Sequence, residues 1–295
     1  MRAATNFSTA NGRIGFAALA LLALAVLALA GCENIQRRGL DPLAVSGRLT
    51  AAPVSHEALM RIAAAARGGG DLDTAVSLYR RAAELDPADP APFAAAGDTL
   101  VEMGRINEAI VAYRAALTRE PRDPASLRGL ARAYLRSGKP ELALEPLGVA
   151  HAQTPDDPKL LQLLGVAEDF TGRHAAAQTR YSRGLDLAPG DRGLSVNLAL
   201  SLALSGRYGD AVAVLSPIAL GPAGTPSERQ NLALIYALQG DAAAAERIAL
   251  LDLDRQAATR QLAYYDTLRL LPPEARTRAI RSISTNTTGG RPPTS

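Results

Sequence analysis

The chain has 295 residues and a composition tilted toward helix, with 59 Ala and 44 Leu against 8 Tyr, 4 Phe and no Trp. Ala and Leu lose little on entering a helix, whereas the residues that build strands are scarce, which argues against an all-β or parallel-sheet protein. Its 32 basic and 29 acidic residues interleave to a net charge of +3, so nothing points to nucleic acid, and one cysteine excludes a disulfide framework or a cysteine-based zinc site.

Residues 14–30 form an almost unbroken apolar run, preceded by Arg2 and Arg13 and followed by Gly31 and Cys32. A basic start, a short apolar middle and small closing residues fit a secretory signal better than a span across a bilayer core of ~30 Å. Leu29-Ala30-Gly31-Cys32 resembles the lipobox of bacterial lipoproteins. The resemblance implies that residues 1–31 are a signal peptide and that Cys32 is lipidated, several acyl chains being enough for stable anchoring. An uncleaved signal anchor with a chance cysteine is the alternative. Glu33 is not the Asp that commonly retains lipoproteins in the inner membrane. The resemblance therefore implies anchoring to the outer membrane on its periplasmic side, with inner-membrane anchoring as the alternative. Residues 32–55, with Gly39, Pro42, Gly47 and Pro53 and no sustained period, read as the lipidated N-terminus and a flexible tether.

The body repeats every 34 residues. Gly70, Gly104, Gly138, Gly172, Gly206 and Gly240 form one series, and Ala75, Ala109, Ala143, Ala177, Ala211 and Ala245 a second. Tyr79, Tyr113, Leu147, Tyr181 and Leu215 follow four residues after the Ala, and Ala63, Gly97, Ala131, Gly165, Ala199 and Ala233 recur ahead of the Gly. Each series has a job in a helix-turn-helix unit. The Gly ends the first helix in a left-handed conformation, the small residues let helices cross closely, and Tyr or Leu fills the space between hairpins. Asp89-Pro90, Asp123-Pro124 and Asp157-Pro158 supply a cap and a first helical residue.

These residues resemble the tetratricopeptide repeat, which implies an all-α solenoid of about six helix-turn-helix units. The family's tryptophan is replaced by Leu59, Phe93, Leu127, Leu161, Ser195 and Arg229, so the last two units are expected to pack less well. Pro217 and the stretch 221–226 predict a shortened helix and a loop in the fifth unit. Residues 256–271 predict a capping helix, which closes the solenoid of residues 56–271. Residues 272–295 read as a short amphipathic helix over 274–283 and a disordered tail.

No catalytic chemistry emerges. His56, His151 and His174 lack the spacing of a helical metal site, and Gly68-Gly69-Gly70 lacks the strand and Lys-Ser/Thr of a phosphate loop. Asp156-Asp157 falls in a capping junction, and Glu168-Asp169 ends a helix beside Phe170. No enzyme activity, cofactor or metal is therefore expected. Binding remains, because repeat stacks present a groove lined by the first helix of each unit. Arg128, Arg132 and Arg136 form one helical stripe there, a candidate clamp for partner carboxylates. The Lys and Asn set with which chaperone-binding relatives grip a terminal carboxylate is absent in its usual pattern.

Segments 231–241, 245–249 and 261–265, reading NLALIYALQGD, AERIA and QLAYY, are similar to the TadD family of lipoproteins from tight-adherence (Flp) pilus systems. That resemblance implies a non-enzymatic scaffold that assists assembly of the pilus secretion apparatus, its partner being the outer-membrane secretin or another pilus assembly subunit. The alternative is a general envelope lipoprotein for outer-membrane protein or peptidoglycan assembly. Stoichiometry and oligomeric state are not written in the sequence.

Overall fold

A computed structural model describes residues 54–286, with side chains through Arg281. The apolar run, Cys32 and the segment 287–295 expected to be disordered lie outside the described residues. Among the described residues there are fourteen α-helices and no strand. Twelve of them form six hairpins: α1 (His56–Gly68) with α2 (Leu72–Leu85), α3 (Ala91–Glu102) with α4 (Ile106–Arg119), α5 (Pro124–Arg136) with α6 (Pro140–Gln153), α7 (Pro158–Phe170) with α8 (His174–Leu187), α9 (Arg192–Leu204) with α10 (Tyr208–Ala219), and α11 (Pro226–Gln239) with α12 (Ala242–Ala249). Two further helices follow, α13 (Arg255–Leu270) and α14 (Pro273–Asn286). The chain is a tetratricopeptide-repeat solenoid.

The recurring glycine makes each hairpin turn. All six have positive φ, between 71° and 91°, a region that an L side chain enters only with strain. In each turn the N–H of the next residue reaches back five residues to a carbonyl of the first helix, as in Arg105 to Leu100 at 2.8 Å and Arg173 to Glu168 at 2.8 Å. This is the Schellman arrangement, which satisfies carbonyls that the helix end leaves open.

Helix starts are written by side chains. Asp123, Asp157 and Asp191 accept N–H groups of the first turn of α5, α7 and α9, and Thr225 forms a full capping box with Glu228 on α11. At the first junction, Asp89 accepts from Ala91 N at 2.9 Å, while Pro90 precedes the helix with a near-helical φ of −71°.

The core runs along the stack between hairpins. The six Ala that follow the turns are fully buried, and so are Tyr113, Leu147, Tyr181 and Leu215 to within 1%. The small residues of the first helices make room for the tyrosines: a Cβ on Gly97 would stand 2.8 Å from the Tyr113 ring, and one on Gly165 would stand 2.4 Å from Tyr181.

The fifth unit departs as its prolines require. Helix α10 spans 12 residues where the second helices of the first four units span 14, and the chain then loops through residues 220–225 before α11. Poorer packing of the last two units is not what the structure shows. Leu200, Leu215, Leu232, Leu234 and Ile235 join one continuous cluster there, extended by Tyr265 and Leu268 of α13. Ser195 is buried and donates to the Asp191 carbonyl, while Arg229 pairs with Asp252, so both replaced positions are satisfied by polar contacts. Helix α13 covers α11 and α12, and α14 turns back over α7 and α9.

Candidate protein-binding groove

The first helices of successive units pack side by side, α3 on α5, α5 on α7, α7 on α9 and α9 on α11, and together they make the face that repeat arrays use for recognition. The tyrosines of the second helices reach through to this face. Tyr113 donates to Asp98 at 2.6 Å, and Tyr181 donates to Asp169 at 2.9 Å. Burial holds both phenols above the ordinary value of 10, with the neighbouring carboxylates acting in the same direction, so both stay neutral donors.

In the first three units the face carries a ladder of alternating charge. Arg67 pairs with Glu102 and lies 3.9 Å from Asp98, which lies 4.0 Å from Arg132. The arginine stripe divides between two neighbours. Arg128 donates to Asp157 at 3.0 Å, the residue that caps α7, whereas Arg136 donates to the Val101 carbonyl of α3 at 3.1 Å. Arg128 is thus tied into the next unit, and Arg132 and Arg136 lean toward the preceding one. Arg132, with 54% of its side chain exposed, is more open than Arg128 at 37%.

In the fourth and fifth units the face closes around Asp169. This carboxylate has no exposed surface. It meets His174 Nδ1 at 2.8 Å and accepts from Tyr181 and from Ser201 Oγ at 2.7 Å. Arg281 of α14 completes the set as the ion-pair partner, and it also donates to Asn197 Oδ1 at 2.9 Å. Beside it Glu168 is buried and lies 3.4 Å from Arg180; burial raises its carboxyl above the ordinary 4.5, with Arg180 opposing. Sequence reasoning placed Glu168-Asp169 correctly at a helix end and missed the buried polar network that gathers on Asp169.

A second depression, of 690 Å³, lies between α2 and α4 on the side of the second helices and is lined by Tyr79, Phe93, Val111 and Ala115. Arg119 stacks over Phe93 there at 3.8 Å. His56 and His151 stay apart from the groove network. Among the described residues no cluster of three or more His, Cys, Asp or Glu is placed to hold a metal ion, and no helix is long and apolar enough to cross a membrane.

The chain belongs to the tetratricopeptide-repeat family. One family model, described as Tetratricopeptide repeat, matches residues 100–166, and a second with the same description matches residues 44–90 and 163–224. Among solved structures, the chain is similar to a tetratricopeptide repeat protein from Parabacteroides merdae ATCC 43184, at 17% identity and a TM-score of 0.61, over 79% of this chain and 99% of that one. It is also similar to PilW, described as a widely conserved type IV pilus biogenesis factor, at 17% identity and a TM-score of 0.62, over 71% of this chain and 97% of that one. A third is YrrB, described as a TPR protein with an unusual peptide-binding site, at 18% identity and a TM-score of 0.50, over 64% of this chain and 89% of that one. A comparison with curated proteins gave no match. The fold is one that binds protein partners.

Proposed function

We propose that this protein is a lipid-anchored, non-enzymatic scaffold that assists assembly of the Flp/Tad pilus secretion apparatus, its partner being the outer-membrane secretin. The observation that carries the binding part is the row of first helices whose floor presents charged side chains and buried tyrosine hydroxyls. The pilus part rests on the resemblance of segments 231–241, 245–249 and 261–265 to the TadD family, and PilW as a structural neighbour is compatible with it. Acyl chains on Cys32 would hold the array at the periplasmic side of the outer membrane, and the tether of residues 32–55 would let it reach a channel subunit.

Deleting the gene tests this reading. Secretin abundance, secretin multimerisation and surface pili are expected to fall together, and restoring the wild-type protein is expected to recover all three. If they are unchanged by deletion, the pilus assignment fails; loss of unrelated outer-membrane proteins with pili intact would favour the general envelope role. Replacing Cys32 with Ser is expected to abolish acyl labelling, and persistent labelling refutes the anchor.

A further inference from the structure

The repeat array builds a buried carboxylate site whose permanent cation comes from outside the repeats. Three donors from the array hold Asp169, namely His174, Tyr181 and Ser201, and none carries a permanent charge. A buried carboxylate without a cation is strongly disfavoured. The permanent cation at this site comes from outside the repeats, from Arg281, which lies 112 residues further along the chain. Asn197 of α9 orients the same guanidinium. In the 34-residue series the two units before it have Gly129 and Leu163 at the position of Asn197, so neither offers this polar contact.

Helix α14, which brings Arg281, is an addition to the stack and not one of its units. It follows Leu271, whose backbone is extended at φ −68° and ψ 148°, and then Pro272. Of its described side chains only Thr277, Ile280 and Arg281 are buried. Spaced i, i+3 and i+4, they form one stripe, with Ile280 in the core cluster of the last units and Arg281 on Asp169. A C-terminal element outside the hairpins is where local opening is expected first. Its departure would uncover Asp169, so whatever takes its place must supply a cation.

We infer that the α7–α9 part of the groove is a receptor for an amphipathic helix carrying an aliphatic residue followed directly by arginine, and that α14 fills it in cis until such a partner helix replaces it. This rests on the scaffold reading above and adds the chemistry of the segment recognised. The chain connection keeps α14 at high effective concentration, so a partner helix succeeds by burying more surface in the groove than α14 does.

A labelled synthetic peptide of residues 272–286 serves as the probe, titrated against the full-length protein by fluorescence anisotropy. Arg281→Ala in the protein empties the pocket, and the peptide is expected to bind this variant at least tenfold more tightly than wild type. The same peptide with Arg281→Ala is expected not to bind, and Asp169→Asn in the protein is expected to abolish binding. Because Asp169→Asn could disturb folding, Asn197→Ala provides a milder second variant, expected to weaken binding severalfold with the melting curve unchanged. Hydrogen exchange supplies an independent measure: α14 amides of the wild type are expected to exchange much faster than those of α7, and faster still in Arg281→Ala. Equal peptide affinity for wild type and Arg281→Ala, or α14 amides as protected as those of α7, overturns the receptor. The outcomes separate from those of the pilus reading: peptide exchange with no pilus defect on deletion removes only the pilus assignment, and a pilus defect without peptide exchange removes only the receptor.

Discussion

A Cβ placed on Gly165 would lie 2.4 Å from Cε1 and 2.6 Å from Cζ of Tyr181, so one hydrogen atom on α7 is what allows the α8 ring to lie flat against it. Tyr181 has no room to retreat. It is fully buried, and its hydroxyl is fixed on Asp169. Gly165→Ala is therefore expected to destabilise the array by about 1–3 kcal/mol through overpacking, despite the better helix propensity of Ala. Gly148, exposed on α6 with nothing within 4 Å of its would-be Cβ, is the control. Gly148→Ala is expected to stabilise by about 0.5–1 kcal/mol. Urea denaturation of the two variants should give opposite signs, and the same sign in both would reject the slot.

The glycine and alanine series made the solenoid legible in the sequence because each unit repeats the same packing problem at the same spacing. Gly172 had to end α7 with positive φ, Ala177 had to sit at a helix crossing, and Asp157 had to cap a start; all three do. Asp169 gave no such signal. Its counterparts at 34-residue intervals are Arg67, Val101, Leu135 and Ala203, so it belongs to no series, and its cation is remote in sequence. The length and docking of α14 were hidden for the same reason: a contact made once, between a repeat and a segment outside the repeats, leaves no period. The stripe of Arg128, Arg132 and Arg136 was visible as spacing, but their partners Asp157, Asp98 and the Val101 carbonyl lie on neighbouring units. Only tertiary placement assigns those.

His56 couples stability to pH. Its Nδ1 lies 3.1 Å from the Ala82 carbonyl and its Nε2 lies 2.8 Å from Asp89, and only the imidazolium can donate to both. The Ala82 carbonyl chiefly, then Asp89, hold its pKa above the ordinary 6.5. Since the folded value is raised, the stabilisation is complete below pH 6.5 and is lost as pH rises through the folded value. His56→Gln is thus expected to cost most in acid, with the difference in Tm from wild type shrinking as pH increases above 6.5. A difference that grows with pH would show that the neutral ring is the bound form.

Asp157 joins two roles that substitutions can separate. Its Oδ1 accepts from Lys159 N at 2.9 Å and Leu160 N at 3.3 Å, while its Oδ2 accepts from Arg128. Removing the cap with Asp157→Ala is expected to cost about 1–2 kcal/mol. Arg128→Ala removes only a partly exposed ion pair, for which the expected cost is below about 1 kcal/mol. Asp157→Asn keeps a capping oxygen and is expected to fall between them. Chemical denaturation at low and high salt checks the division, since only the Arg128 contribution should shrink with salt. Equal costs for Asp157→Ala and Arg128→Ala would place the stabilisation in the ion pair instead of the cap.

Charge reversal of the arginine stripe is expected to weaken capture of the proposed secretin partner while leaving helicity intact, but the three positions do not test the groove equally. Arg128→Glu sets a second carboxylate beside Asp157, where it disturbs the α7 cap as well as any partner contact. Arg132→Glu places its new charge near Asp98, which keeps its bond from Tyr113, and Arg136→Glu gives up a single carbonyl contact. The pair Arg132→Glu with Arg136→Glu is therefore the cleaner probe. Co-purification of secretin with the pair variant is expected to drop at least severalfold, with circular dichroism and Tm close to wild type. Arg128→Glu should lower Tm on its own. Undiminished co-purification by the pair variant would remove these arginines from the binding surface and leave the Asp169 segment as the part of the groove that engages a partner.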